Sequence, residues 1–337
     1  CILFARPMLQ ALHTKSDLID AAVLYLKIYA LGMPAMAVYN FGNGVLSAKG
    51  DTKSPLIYLA VAGVLNIMLN LIFVIGFHLA AAGVAIASAI AQYVSMLLVM
   101  RNLLKRRDVC RLQISKIQFH QDVAKGILLM GIPTGMQNAI FALANLFVQR
   151  GVNYFYTIMV SGNAAATNAD AIIFNVMSAF YTGCASFVSQ NRGAGNRERM
   201  KKSYLVALTY SFLIGLFLGA CLFFGGRYFL RAFATDRAVI DAGMERIKIM
   251  AFAYSISAFM DCTIAASRGL GKSIGPMIIV MLGSCVFRII WVYTIFANFH
   301  TIPSLYLLYP FSWTLTAIAE IAYFIVQFRK VMPKSRI

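Results

Sequence analysis

Charge is scarce in this sequence. Only 12% of its 337 residues are Asp, Glu, Lys or Arg, about half the ~25% of a soluble domain, so an ordinary water-facing surface is excluded. Acid is scarcer still, with 12 Asp and Glu against 30 Lys and Arg, a formal charge of +18. The six cysteines, at 1, 110, 184, 221, 262 and 285, show no C-x-x-C spacing, which argues against a cysteine metal site or a disulfide framework. The four histidines (13, 78, 120, 300) fall in loops or at the ends of apolar runs. No H-E-x-x-H, G-x-S-x-G or paired carboxylates at helical spacing occur. No catalytic residue, metal site or cofactor is therefore indicated, and an enzyme is not expected.

What is abundant is hydrophobic length. Hydrophobic residues make up 60% of the chain and the mean hydropathy is +0.74. Apolar stretches fall at 18–47, 55–77, 80–104, 126–157, 166–190, 204–233, 238–267, 275–299 and 303–328, and 1–12 reads as the tail of one more. Each is long enough to cross ~30 Å of hydrocarbon as a helix. The fold class is accordingly all-α, a polytopic membrane protein. The first stretch contains Pro34, where a kink is expected. Basic residues gather in 48–54, 101–125, 191–203, 267–275 and 328–337, while the loops opposite hold only Lys15 and Arg237. Lys and Arg mark cytoplasmic loops. The C-terminus and Lys116 and Lys201 are thus expected inside, and Asn163 and His300 outside. The same placement sets nucleic acid aside as a partner, because the charge is topological rather than a patch.

The chain also repeats itself. A shift of 221 places Gly50 on Gly271, Pro55 on Pro276, Ile57 on Ile278, Arg6 on Arg227, Asp20 on Asp241 and Lys27 on Lys248, without a gap. A repeat of this length in a hydrophobic chain marks a transporter of two halves. The first lobe is expected over 1–105, a cytoplasmic linker over 106–124, and the second lobe over 125–337. The counterpart of Lys125 would lie ahead of residue 1, so roughly a hundred further residues are expected upstream.

The residues G-D-T-K-S-P at 50–55, L-N-I-M-L-N at 65–70, G-V-A-I-A-S-A-I-A-Q at 83–92, G-I-P-T-G-M-Q-N at 131–138, Q-N-R-G-A-G at 190–195, R-G-L-G-K-S at 268–273 and R-I-I-W at 288–291 together resemble the MATE (multidrug and toxic compound extrusion) transporters, in a bacterial or archaeal branch. The resemblance implies a two-lobe bundle of twelve transmembrane helices, of which about nine complete spans and a remnant are here. It further implies a monomeric inner-membrane antiporter that exports drugs or organic cations in exchange for Na+ or H+. A lipid or polysaccharide flippase of a related exporter family is the alternative, favoured by a cavity lined with many Arg and Lys.

Polar residues inside the spans are the candidate site. Asn66 and Asn70 are i and i+4, hence on one helix face. The resemblance places a cation-binding polar group and an acid there; here the acid is an amide. Tyr25 and Ser88 match hydroxyls that the family groups around the same site. Tyr25, Asn66, Asn70 and Ser88 thus form the ion-coupling candidate, with helix-to-helix hydrogen bonding as the plainer reading. Thr134, Asn138, Asn145, Gln149 and Asn153 fall within one arc of roughly 100° at ~100° per residue, a polar stripe suited to a substrate cavity. Asp261, Arg288 and Glu320 are charges inside the spans, each requiring a partner or water; a neutralised trio is the simplest expectation, held by a buried ion pair, for example Arg288 with Glu320, with proton coupling as the other reading. Asp170 reads as a residue near the outer end of its helix. Arg197, Arg199, Lys201 and Lys202, after Q-N-R-G-A-G, are expected to face anionic lipid heads.

Overall fold

The computed structural model describes residues 4–11 and 19–331; Cys1, His13, Lys15 and the basic residues Lys334 and Arg336 lie outside them. Among the described residues the chain is helical, and nine helices are long and apolar enough to cross a membrane. It divides into two compact units, Cys1–Gln118 and Phe119–Ile337.

The first unit contains α1 (Ala5–Ala11), α2 (Ile19–Ala48), α3 (Lys53–Gly76) and α4 (Ala80–Lys105). Pro34 sits inside a continuous α2. Helices α2 and α4 pack closely because glycine removes side chains at the crossing: a Cβ on Gly42 would lie 2.1 Å from Val99 Cγ1. Tyr39, Leu46, Val99 and Leu103 form the small core there. Helix α3 has only 6% of its most apolar window buried. So much exposed apolar surface is stable only in hydrocarbon.

The second unit contains α5 (Gln121–Val152), α6 (Thr157–Gly193), α7 (Arg197–Arg231), α8 (Arg237–Gly269), α9 (Ile274–Phe299) and α10 (Ile302–Val331). Helix α8 is its axis, with 72% of its window buried. Small residues allow this, since without a hydrophobic drive between helices, close backbone approach supplies the packing. A Cβ on Gly162 of α6 would lie 2.7 Å from Gly243 N, and one on Gly219 of α7 only 1.9 Å from Ala251 O.

The sequence repeat is also a backbone repeat. Both α2 and α8 end in a left-handed glycine, Gly50 (φ +82°) and Gly271 (φ +71°). The closing hydrogen bonds match in register: Asp51 N to Leu46 O and Gly50 N to Ser47 O in one unit, Lys272 N to Ser267 O and Gly271 N to Arg268 O in the other. Such a Schellman ending satisfies carbonyls that the helix leaves open. Both following helices then widen to π-helical hydrogen bonding, over Ile72–Gly76 and Val292–Phe296, and reach a left-handed histidine, His78 or His300.

One boundary differs from the sequence reading. The apolar stretches 126–157 and 166–190 leave a connection between them, but α5 ends at Val152 and α6 begins at Thr157. The polar residues there belong to the helix. Thr167 Oγ1 donates to Ala164 O at 2.7 Å, and Asn163, expected outside, is buried with its Oδ1 accepting from Tyr306 Oη at 2.9 Å.

The close approach at α8 yields a test. Gly219→Ala should destabilise the detergent-solubilised protein by about 1–3 kcal/mol through overpacking, lowering its thermal midpoint. Gly225→Ala, where a Cβ meets nothing within 4 Å, should leave it unchanged. Equal midpoints for the two variants would show that α7 has slack against α8.

Candidate functional site

In the first unit, α3 and α4 bring three of the four ion-site candidates together. Asn70 Nδ2 donates to Asn66 Oδ1 at 3.0 Å, and Asn66 Nδ2 donates to Ser88 Oγ at 3.4 Å. The chain of amides leaves Asn70 Oδ1 buried without a hydrogen-bond partner. That oxygen is open to a cation or a hydroxyl. Tyr25, on α2, stacks on Tyr29 with ring centroids 5.9 Å apart and joins none of these hydrogen bonds.

The second unit contains a partly open cavity of about 500 Å³ lined by α5, α6, α8, α9 and α10. Two charged groupings line it. In the first, Arg246 of α8 pairs with Asp170 of α6, whose other carboxylate oxygen accepts from Tyr254 Oη. Arg246 also lies over the Tyr306 ring at 5.4 Å and donates to Asn163 O at 3.3 Å. Asp170 is therefore not an exposed residue at a helix end but the counter-charge of a buried arginine; its side chain is 18% exposed and that of Arg246 3%.

In the second grouping the charges stay apart. Arg288 is 1% exposed, and its cation is held by neutral groups: Nη1 donates to Asn145 Oδ1 at 3.3 Å, Nε to Ser312 Oγ at 3.2 Å, and the guanidinium lies between the rings of Phe141 and Tyr309, at 5.0 and 4.7 Å. Its Nη2 has no hydrogen-bond partner. Asp261 lines the same cavity with no cation within ion-pair distance among the described residues. The expected Arg288–Glu320 ion pair is not formed. Arg288 reaches α10 at Ser312, and Glu320 lies eight residues further on, ~12 Å along the helix at 1.5 Å per residue. Glu320 is fully buried with both carboxylate oxygens unpartnered.

Of the polar stripe, Asn145 and Gln149 line the cavity. The others have local roles: Thr134 Oγ1 donates to Met130 O at 2.9 Å, Asn153 follows the last turn of α5 and accepts from Gln149 Nε2 at 2.9 Å, and Asn138 is exposed. The neighbour of Asn138 is the one engaged, as buried Gln137 accepts from Arg268 Nη2 at 2.9 Å. Arg246 and Tyr254 are absent from the sequence reading, and Asp170 has no site role in it. A signal for the first two was present, because 246, 250, 254, 257 and 261 follow helical spacing and place Arg246 on the face of Asp261.

The second unit is thus a helical membrane bundle with a polar cavity inside it, in which two arginines face two aspartates. The MatE family model matches residues 1–72 and 133–294, and the chain belongs to that family. Relatives include the probable multidrug resistance protein YpnP of Bacillus subtilis, 29% identical over 73% of this chain and 55% of the relative. Another is the FAD transporter of Shewanella oneidensis, 23% identical over 75% of this chain and 57% of the relative. The chain thus spans a little over half the length of these curated relatives. Among solved structures, a MOP superfamily transporter from Pyrococcus furiosus superposes with a TM-score of 0.91 at 18% identity, covering 98% of this chain and 74% of that one, a likeness of fold.

The Asp170–Arg246 pair is the group most sensitive to loss of its partner. Arg246→Met strands a carboxylate and should destabilise the protein by about 3–5 kcal/mol. Adding Asp170→Asn to Arg246→Met should recover at least half of the lost thermal stability. A double variant no more stable than the single one would show that the two residues are not coupled.

Proposed function

We propose that the protein is a secondary active antiporter exporting drugs or organic cations across the inner membrane in exchange for Na+ or H+, by alternating access of its two lobes. The observation that carries this reading is Asp261, an uncommitted carboxylate facing a cavity large enough for a drug-sized molecule. An ammonium group of the substrate would supply the ion-pair partner that Asp261 lacks, and the rings of Phe141 and Tyr309 would flank the apolar part. Residues 1–105 and 125–337 would be the two lobes, and linker 106–124 and the C-terminus would lie in the cytoplasm, consistent with their basic residues. The flippase alternative called for a cavity rich in Arg and Lys; the two arginines here are matched by two aspartates. The protein would work as a monomer in contact with membrane lipids.

Na+ is the coupling ion that the first unit supports better. Asn66, Asn70 and Ser88 offer oxygens but no titratable group, and an amide coordinates Na+ without taking up a proton. Tyr25 would complete the set if α2 turned it away from Tyr29.

In cells expressing the protein, Asp261→Asn should cut export of a cationic dye about tenfold, as expected for ~1.4 kcal/mol of lost binding, with membrane insertion unchanged. Full export by this variant would exclude Asp261 as the substrate's counter-charge. Asn66→Ala should reduce Na+-dependent export, and Asn70→Asp should increase its dependence on pH by adding a titratable carboxylate. If both behave as the parent at every Na+ concentration and pH, the amide cluster only joins helices.

A further inference from the structure

Helices α6 and α7 run antiparallel around the turn at Ala194–Asn196, and between them lies an open groove of about 710 Å³. It shares no lining residue with the polar cavity. Its two ends differ in chemistry. At the turn it is bordered by Arg199 and Lys202; further in, it is walled by Phe180, Phe187 and Tyr210. Phe187 and Tyr210 are each 58% exposed, and Phe180 stacks on Tyr210 at 6.4 Å. Along the floor, Gly183 leaves space in which a Cβ would meet nothing within 4 Å.

The dimensions and charges match one ligand class. From Arg199 to Tyr210 is ~17 Å along α7 at 1.5 Å per residue, close to half of the ~30 Å hydrocarbon core, a length that matches one leaflet. Of the other cations near the turn, Arg192 donates to Leu270 O at 2.8 Å and Arg197 lies over Phe328 at 5.4 Å, while Lys201 is exposed and is not among the groove's lining residues. Arg199 makes no side-chain hydrogen bond or ion pair among the described residues. Lys202 pairs only with Glu198, at 2.8 Å, with both side chains more than 70% exposed, where solvent screens the attraction. A guanidinium and an ammonium at the head of an apolar channel suit a phosphate on an acyl chain.

We propose that this groove is a binding site for one anionic phospholipid, with the phosphate held by Arg199 and Lys202 and an acyl chain lying over Gly183 between Phe180, Phe187 and Tyr210. The site is independent of the substrate and coupling ion proposed above. It is tested by native mass spectrometry of the purified protein titrated with phosphatidylglycerol or phosphatidylcholine. Phosphatidylglycerol should bind first and more tightly. Arg199→Ala and Lys202→Ala should each weaken it roughly fivefold, as for one basic residue near a charged headgroup, and leave phosphatidylcholine unchanged. Gly183→Leu, which fills the floor, should weaken both lipids. Val206→Trp, at a half-exposed wall position, should do the same without entering the core, and it serves if Gly183→Leu fails to fold. Glycerol 3-phosphate should not compete. Equal binding of the two lipids, unchanged binding by a groove-filling variant that folds, or competition by glycerol 3-phosphate would each overturn the proposal.

Discussion

An arginine inside a membrane must be answered by the protein itself, and the second unit is built around that requirement. Helix α8 carries Arg246 into the bundle, where Asp170 supplies the opposite charge and Tyr306 a ring face. The contact is available because Gly162 and Gly243 let α6 approach α8 to backbone distance. Bulk at either glycine would move the carboxylate away and leave the guanidinium in a medium that does not solvate it. Packing and electrostatics are therefore one constraint. The helix that is most buried can carry charge because it is most closely surrounded.

Arg288 is accommodated differently. Two aromatic faces, an amide and a hydroxyl replace water around it, and among the described residues no carboxylate approaches within ion-pair distance. Asp261 remains uncommitted across the same cavity. The unit thus holds one charge pair closed and another open, and the open pair is what gives the cavity its chemistry.

The spans, the repeat and the glycine turns were legible in the sequence because they depend on local pattern: hydrophobic length, a fixed shift of 221, and a residue able to take positive φ. The boundary near 157–168 was misread because Asn163, Thr167 and Asp170 are polar, and polarity in a bilayer protein marks interior faces as well as loops. The pair of Asp170 with Arg246 joins residues 76 apart, and nothing in spacing announces it. The ion pair expected for Arg288 failed for the converse reason: opposite charges in neighbouring spans suggest pairing, but their depth along the helix decides it. In the first unit the i, i+4 spacing of Asn66 and Asn70 put them on one helix face, where Asn70 Nδ2 donates to Asn66 Oδ1. The shift of 221 places Tyr25 on Arg246 and Asn40 on Asp261, so the two units share backbone turns while their interior chemistry has diverged.

Arg288 stands in a single α-helical turn, Phe287–Trp291, between two π-helical stretches, Met281–Val286 and Val292–Phe296. Each such stretch absorbs an additional residue into a helix that is otherwise regular. Loss of one residue from the first would relax it to α-helix and leave Arg288 in its place, because the π-helical turn holds the residue that is surplus to the regular helix. The helix could then change its length by one residue without moving the guanidinium out of the cavity. In comparing α9 among homologous chains, a single-residue gap within Met281–Val286 is therefore compatible with the same cavity charge.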